Sequence, residues 1–220
     1  MTDDARPRYV VAPGNFTTAT FGPTPSQTVG PFWHIGLCWS DGPDVVVSGT
    51  AGSITVAVTV LDGVNAPVTD AMVETWQADL DGKFATASGL RTAPLRPRSF
   101  RGFGRAAADL TGTARVQTVK PGAVRSELGS YAPYIDISIF ARGMLDRVVT
   151  RLYFPDDTDA HEEDPLLMHL SPIARTKLIA TRVQDGFAWT VHLQDGGIDG
   201  LETPFLALQG QPLHGTDQVG

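Results

Sequence analysis

The chain has 220 residues, of which 42% are hydrophobic and 19% charged, and it carries a formal net charge of −7. That length and balance suit one globular domain with a filled core and exclude a disordered chain. The negative charge excludes a general nucleic-acid binder, which needs a basic face, and argues against an anionic membrane surface as partner. A small acidic ligand stays open, because one local Arg overrides net charge at short range.

The first residues, MTDDARPRYVVAPG, are polar and hold no apolar stretch of the secretory kind. No apolar run approaches the roughly 20 residues that cross a bilayer. Cys38 is the single cysteine and can neither staple the chain nor build a Cys-rich metal site. It reads as a small buried hydrophobe in a reducing compartment, so the expected location is the cytoplasm.

Residues 1–21 read as a flexible or interface arm, 22–208 as one domain and 209–220 as a tail. The segment 22–37, GPTPSQTVGPFWHIGL, is dense in turn residues yet carries Phe32 and Trp33 side by side. A merely solvated tail rarely holds such aromatics, so the segment is expected to pack on the core or on another chain.

Strand-like runs follow. Val45–Val47 is a short one, and Ile54–Leu61 alternates β-branched residues at 54, 56, 58 and 60. Asp62-Gly63 and Asp81-Gly82 mark turns around a strand at 71–78. Residues 85–104 read as irregular, with Gly102-Phe103-Gly104 as a turn. A strand at 114–119 is closed by Pro121-Gly122. The run Tyr134–Phe140 puts Ile135, Ile137 and Ile139 on one face and Tyr134, Asp136 and Ser138 on the other. Arg147–Phe154 is its expected partner. Residues 155–175 read as a loop with one helical turn, and 177–183 with 187–193 as a hairpin about Asp185-Gly186. The 23 Gly and 16 Pro punctuate these runs. Many short strands, little helix and no βαβ rhythm predict an all-β fold, an antiparallel β-sandwich with an extended N-terminal arm and long loops.

Direct signals of chemistry are few. The five histidines show no H-x-H and no H-E-x-x-H pairing. The run His161-Glu162-Glu163-Asp164 reads as a solvated acidic loop. Asp62, Asp70, Glu74 and Asp79 read as surface carboxylates of a sheet. Asp136 stands out, because Asp is disfavoured in mid-strand; it lies on a solvated face, or on one that borders a pocket or interface. Arg142, six residues further, is suited to a forked pair of hydrogen bonds with a carboxylate.

Five blocks together resemble the intradiol ring-cleavage dioxygenases. They are TPSQTVGPFWHIGL at 24–37, LDGVNAPVTDAMVETWQADLDGKF at 61–84, FRGFGRAAADLTG at 100–112 with TVKPG at 118–122, ISIFARG at 137–143 and TRLYFPDD at 150–157. The resemblance implies a β-sandwich and a reaction in which ferric iron binds a catechol and both atoms of O₂ enter between the hydroxyl-bearing carbons. It also implies an iron held by two Tyr and two His, the His pair as H-x-H on one strand. Here that strand reads Tyr134-Ile135-Asp136. One Tyr position, after the T-x-K-P-G turn, is Val124. The other falls near Arg91 and Thr92, just before Ala93-Pro94-Leu95.

The pattern resembles the alpha chains of the family's two-subunit members, whose beta chain carries the iron. The implied partners are an iron-bearing beta subunit in a higher-order (αβ)n assembly, the substrate protocatechuate (3,4-dihydroxybenzoate) and O₂. The implied cofactor is Fe(III) on that beta subunit, with no metal on this chain. The implied pocket-lining residues are Thr28, Gly30, Pro31 and Phe32, with Arg142 binding the ring carboxylate. The product would be 3-carboxy-cis,cis-muconate. The alternatives are a subunit acting on another catechol, or a non-catalytic β-sandwich module with a structural or binding role.

Overall fold

A computed structural model describes residues 27–85, 100–195, 200 and 202–206. Arg91, Thr92 and the terminal arm and tail lie outside the described residues. Ten strands run through the described residues. They are β1 (Ser53–Leu61), β2 (Met72–Gln77), β3 (Phe103–Ala107), β4 (Thr113–Val119), β5 (Val124–Ser126), β6 (Gly129–Tyr131), β7 (Tyr134–Phe140), β8 (Val148–Tyr153), β9 (Thr181–Val183) and β10 (Gly186–His192). Short helices form α1 (Phe32–Gly36), α2 (Thr158–Glu163) and α3 (Pro172–Leu178), with one 3-10 turn at Leu167–His169.

The strands build two four-stranded sheets, ordered β4-β1-β10-β9 and β3-β2-β7-β8, and a separate β5-β6 hairpin. The alternation read from the sequence sets which face is inward. Val56, Val58 and Val60 of β1 and Ile135, Ile137 and Ile139 of β7 are all buried in one cluster with Val73, Val116, Phe187 and Val191. Each such aliphatic side chain contributes about 1.5–3 kcal/mol when removed from water, so this layer holds the two sheets together. The all-β sandwich expected from the sequence is therefore the observed architecture. One pairing departs from the antiparallel rule: β1 and β10 run parallel, Thr55 opposite Gly186 through Leu61 opposite His192.

Several local expectations are corrected. Gly102-Phe103-Gly104 is not a turn but the entry to β3, which pairs with β2 from Trp76–Phe103 to Met72–Ala107. Val45–Val47 forms no strand; Val46 makes only an isolated bridge to Phe100. Residues 155–178 hold two helices and a 3-10 turn in place of a loop with one turn. Ser171 caps α3, its side chain accepting from the N–H of Ala174, and Pro172 occupies the first turn. Asp62 and Asp79 are turn-makers: each accepts two backbone N–H bonds in its own loop.

Alternation leaves the other face of the second sheet to the polar set. The register aligns Phe103, Trp76, Asp136 and Arg151 in one row across β3, β2, β7 and β8. A second row is Arg105, Glu74, Ser138 and Val149. This outer face carries the candidate site.

Candidate functional site

At one end of the outer face stand Tyr134 and Asp136, two residues apart on β7 and pointing the same way. Arg151 on β8 is directly opposite Asp136. Its Nε donates to Asp136 Oδ1 at 2.8 Å, and its guanidinium carbon sits 3.9 Å from the centre of the Tyr134 ring and 5.0 Å from that of Tyr131. The pair is mostly shielded, with 17% and 27% of the Arg151 and Asp136 side chains exposed. Burial pushes the Asp136 carboxyl up from its usual range, and the guanidinium pulls it partly back. Burial also raises the Tyr134 phenol to about 12, again partly opposed by Arg151. The mid-strand Asp is thus explained by a cross-strand ion pair laid over aromatic faces.

These residues do not fit a ferric ion. Tyr134 and Asp136 are the two donors that a metal between them would need, and the Arg151 cation already occupies the space between them. A guanidinium lodged against both the Tyr134 ring and the Asp136 carboxylate repels a second cation at the same place. Val124, on β5 opposite Tyr131, has no donor atom. Among the described residues no group of three or more His, Cys, Asp or Glu side chains is arranged for a metal.

Behind this cluster the acidic run before Pro165 is solvated only at Glu162 and Glu163, on a helix and not a loop, while its two ends are buried. His161 is buried on α2, edge-on to the Tyr153 ring at 5.8 Å. Asp164 is fully buried. It accepts from the backbone N–H of Ala132, Leu166 and Leu167 and from the Tyr153 hydroxyl, fixing the loop between the β5-β6 hairpin and the 3-10 turn. A carboxylate that gathers four donors is a structural tie, which a run of acidic letters does not reveal.

The other end of the outer face is built by the segment 27–42. Trp33 of α1 stacks on Phe140 with ring centres 5.0 Å apart. Arg105 donates to Glu74 at 2.8 Å and to the Leu37 carbonyl at 2.9 Å, with its guanidinium 4.7 Å from the Trp39 ring. Glu74 is therefore half-buried in an ion pair and not a free surface carboxylate. Cys38 beside it is partly buried, and burial raises its thiol, which keeps it a thiol and not a thiolate.

Beyond Phe140 the chain turns through Ala141-Arg142-Gly143-Met144, with Gly143 at φ 93°, a conformation that favours glycine. The N–H of Val29 donates to the Met144 carbonyl at 2.9 Å. That bond joins the stretch holding Thr28, Gly30, Pro31 and Phe32 to the turn holding Arg142. The segment at 28–32 and the turn at 141–144 are therefore tied at one backbone contact. Arg142 is 70% exposed and 3.4 Å from Asp70. Phe32 and Ile35 are 63% and 75% exposed, unusual for large apolar side chains on a helix. Sequence reasoning missed Arg151 and read Asp70 only as a surface carboxylate; the pairings Arg151–Asp136 and Asp70–Arg142 are visible only through strand register.

No helix among the described residues is long and apolar enough to cross a membrane. A family model described as "Dioxygenase" matches residues 47–186. The protocatechuate 3,4-dioxygenase alpha chain of Pseudomonas putida is 36% identical over 194 residues, 79% of this chain and 92% of that one. The protocatechuate 3,4-dioxygenase beta chain of Burkholderia cepacia is 35% identical over 130 residues, 58% of this chain and 54% of that one. Among solved structures, hydroxyquinol 1,2-dioxygenase from Pseudomonas putida DLL-E4 superposes with a TM-score of 0.51 at 16% identity, covering 79% of this chain and 63% of that one, a likeness of fold alone. With the family model over most of the sandwich and an alpha-chain relative matched along nearly its whole length, the chain belongs to the intradiol ring-cleavage dioxygenase family.

Proposed function

We propose that this chain is the alpha subunit of a two-subunit protocatechuate 3,4-dioxygenase, binding no iron itself and completing the substrate pocket of an iron-bearing beta subunit. The observation that carries the reading is the contrast within one sheet face. Two of the would-be ligand positions, Tyr134 and Asp136, are engaged by Arg151, while Arg142 and the exposed Phe32 and Ile35 face outward. The alpha-chain relative supports the subunit assignment, and the beta-chain relative supports the partnership.

In this reading ring opening by O₂ takes place at the ferric iron of the partner. The share of this chain is binding and orientation. Thr28, Gly30, Pro31 and Phe32 line the edge of the neighbouring pocket and keep water from it. Arg142 would fork onto the ring carboxylate, binding the ring and setting its orientation. The product is 3-carboxy-cis,cis-muconate. The domain assigned to this role is residues 22–208, between a flexible or interface arm at 1–21 and a tail at 209–220. The assembly repeats the αβ unit, and its place is the cytoplasm.

The test is metal content and oxygen uptake of the purified chain, alone and co-produced with its partner. Alone, the chain holds no stoichiometric iron and consumes no oxygen with protocatechuate. Together, the complex is red-brown and active. One equivalent of iron per isolated chain with catechol cleavage overturns the reading.

A further inference from the structure

Asp70 stands two residues before β2, and Arg142 two residues after β7. The antiparallel ladder of these strands ends at Met72 opposite Phe140, so the same register continued by two residues sets Asp70 across from Arg142. The side chains follow: Asp70 Oδ2 lies 3.4 Å from Arg142 Nε. That oxygen is shielded from solvent and has no hydrogen-bond partner among the described residues. A carboxylate oxygen removed from water without a donor is unfavourable unless a cation meets it. The cation it faces is Arg142, whose own side chain is 70% exposed.

An exposed Arg is a poor anchor by itself. Its long stem samples many rotamers, and binding must freeze them. A carboxylate beside Nε removes that freedom before the ligand arrives. It also leaves the two terminal nitrogens, the pair that matches a carboxylate, without a claim on them. The negative charge of Asp70 opposes a second carboxylate only from the far side of the guanidinium, whose own positive charge lies nearer to both and makes this the smaller effect.

We infer that Asp70 is a positioning residue: it ties Arg142 through Nε so that its terminal nitrogens meet the ring carboxylate of an aromatic acid in the partner's pocket. The inference rests on the reading of Arg142 as substrate anchor and deepens it.

The experiment is steady-state kinetics of the assembled two-chain enzyme on protocatechuate and on catechol, which lacks the carboxylate. Asp70→Asn raises KM for protocatechuate about three- to ten-fold, the share of affinity that freezing one long side chain consumes. It leaves kcat, and KM for catechol, near their starting values. Asp70→Glu restores most of the loss, because its carboxylate still reaches Nε. Arg142→Met is measured in parallel, and in its background Asp70→Asn adds nothing selective.

If Arg142→Met affects both substrates equally, the anchor reading fails and the role of Asp70 with it. If Arg142→Met is selective and Asp70→Asn is not, the role of Asp70 fails alone. Asp70→Ser carries the same expectation where the Asn variant does not assemble. Loss of assembly in both variants marks Asp70 as a structural residue and overturns the inference.

Discussion

The outer face of the β3-β2-β7-β8 sheet has two ends that differ in one respect: whether their polar groups are satisfied. At the Tyr134–Asp136 end, Arg151 meets the carboxylate and covers two aromatic rings, and Asp164 behind it gathers four donors. At the Arg142 end, Trp33 Nε1, His34 Nδ1 and Asp70 Oδ2 are shielded without hydrogen-bond partners among the described residues. There Phe32, Ile35 and Leu145 are exposed by 63%, 75% and 60%. In the proposed reading the Tyr134–Asp136 end needs no metal, because neighbours of the same chain match its buried charge. In the proposed reading the Arg142 end keeps its unmatched groups because the matching groups lie on a second chain.

The largest expected effect is at the closed end. Arg151→Ala or Asp136→Ala leaves a shielded charge without its partner and destabilises the free chain by about 3 kcal/mol, the low end for a buried pair because both side chains keep some solvent. Replacing both together, Asp136→Leu with Arg151→Met, brings stability back to within about 1 kcal/mol of the parent. Urea unfolding of the four proteins measures this. Singles and double equally destabilised would show that the pair acts through shape and not charge, and would remove the sense in which this end is closed.

A smaller effect on the free chain, and a selective one, is expected at the open end. Phe32→Ser with Ile35→Ser changes stability of the isolated chain by no more than about 0.5 kcal/mol, since both side chains already face water. The same change weakens association with the partner by about 2 kcal/mol or more, as for exposed apolar anchors that become buried in an interface. Sedimentation of titrated mixtures reads the second quantity. A large stability loss with unchanged association would make α1 part of this chain's own core and erase the contrast.

How far the sequence reveals these two ends depends on what holds each residue. The alternation at Ile54–Val60 and Ile135–Ile139 is local, so both strands and their inward faces are legible without a structure. Strand β3 is not, because Gly102 and Gly104 mimic a turn. Gly104 is there for a close approach: a Cβ would lie 2.7 Å from Thr75 Oγ1 and from Val45 Cγ2, contacts made by residues far away in sequence. Helices α2 and α3 have 6 and 7 residues, too few for a 3.6-residue period to declare itself. The open end was legible through its misplaced aromatics and lone Arg. The closed end was half legible: Asp136 is conspicuous in its strand, but Arg151 becomes its partner only once β7 and β8 are set in register.

The smallest expected effect tests whether the closed end extends to His161. Its ring is buried, packed edge-on to Tyr153, and its Nε2 has no partner among the described residues. Burial lowers its pKa from 6.5, against the opposing pull of Asp157, Asp164 and Glu162 and with a small further push from Lys120. The folded state therefore binds this proton less readily than the unfolded chain does. The stabilising contribution is present in full above the unfolded value near 6.5 and is lost as pH falls through the lowered folded value. The difference in unfolding free energy between the parent and His161→Phe, followed from about pH 8 to about pH 5, should shift against the parent as pH falls. Subtracting the variant removes the titration of the carboxylates common to both. A difference that moves in the parent's favour on acidification would mean that the three acidic neighbours outweigh burial. His161 would then be a charged partner waiting for its proton, and the region behind Tyr153 would be an unfilled site, as at the Arg142 end.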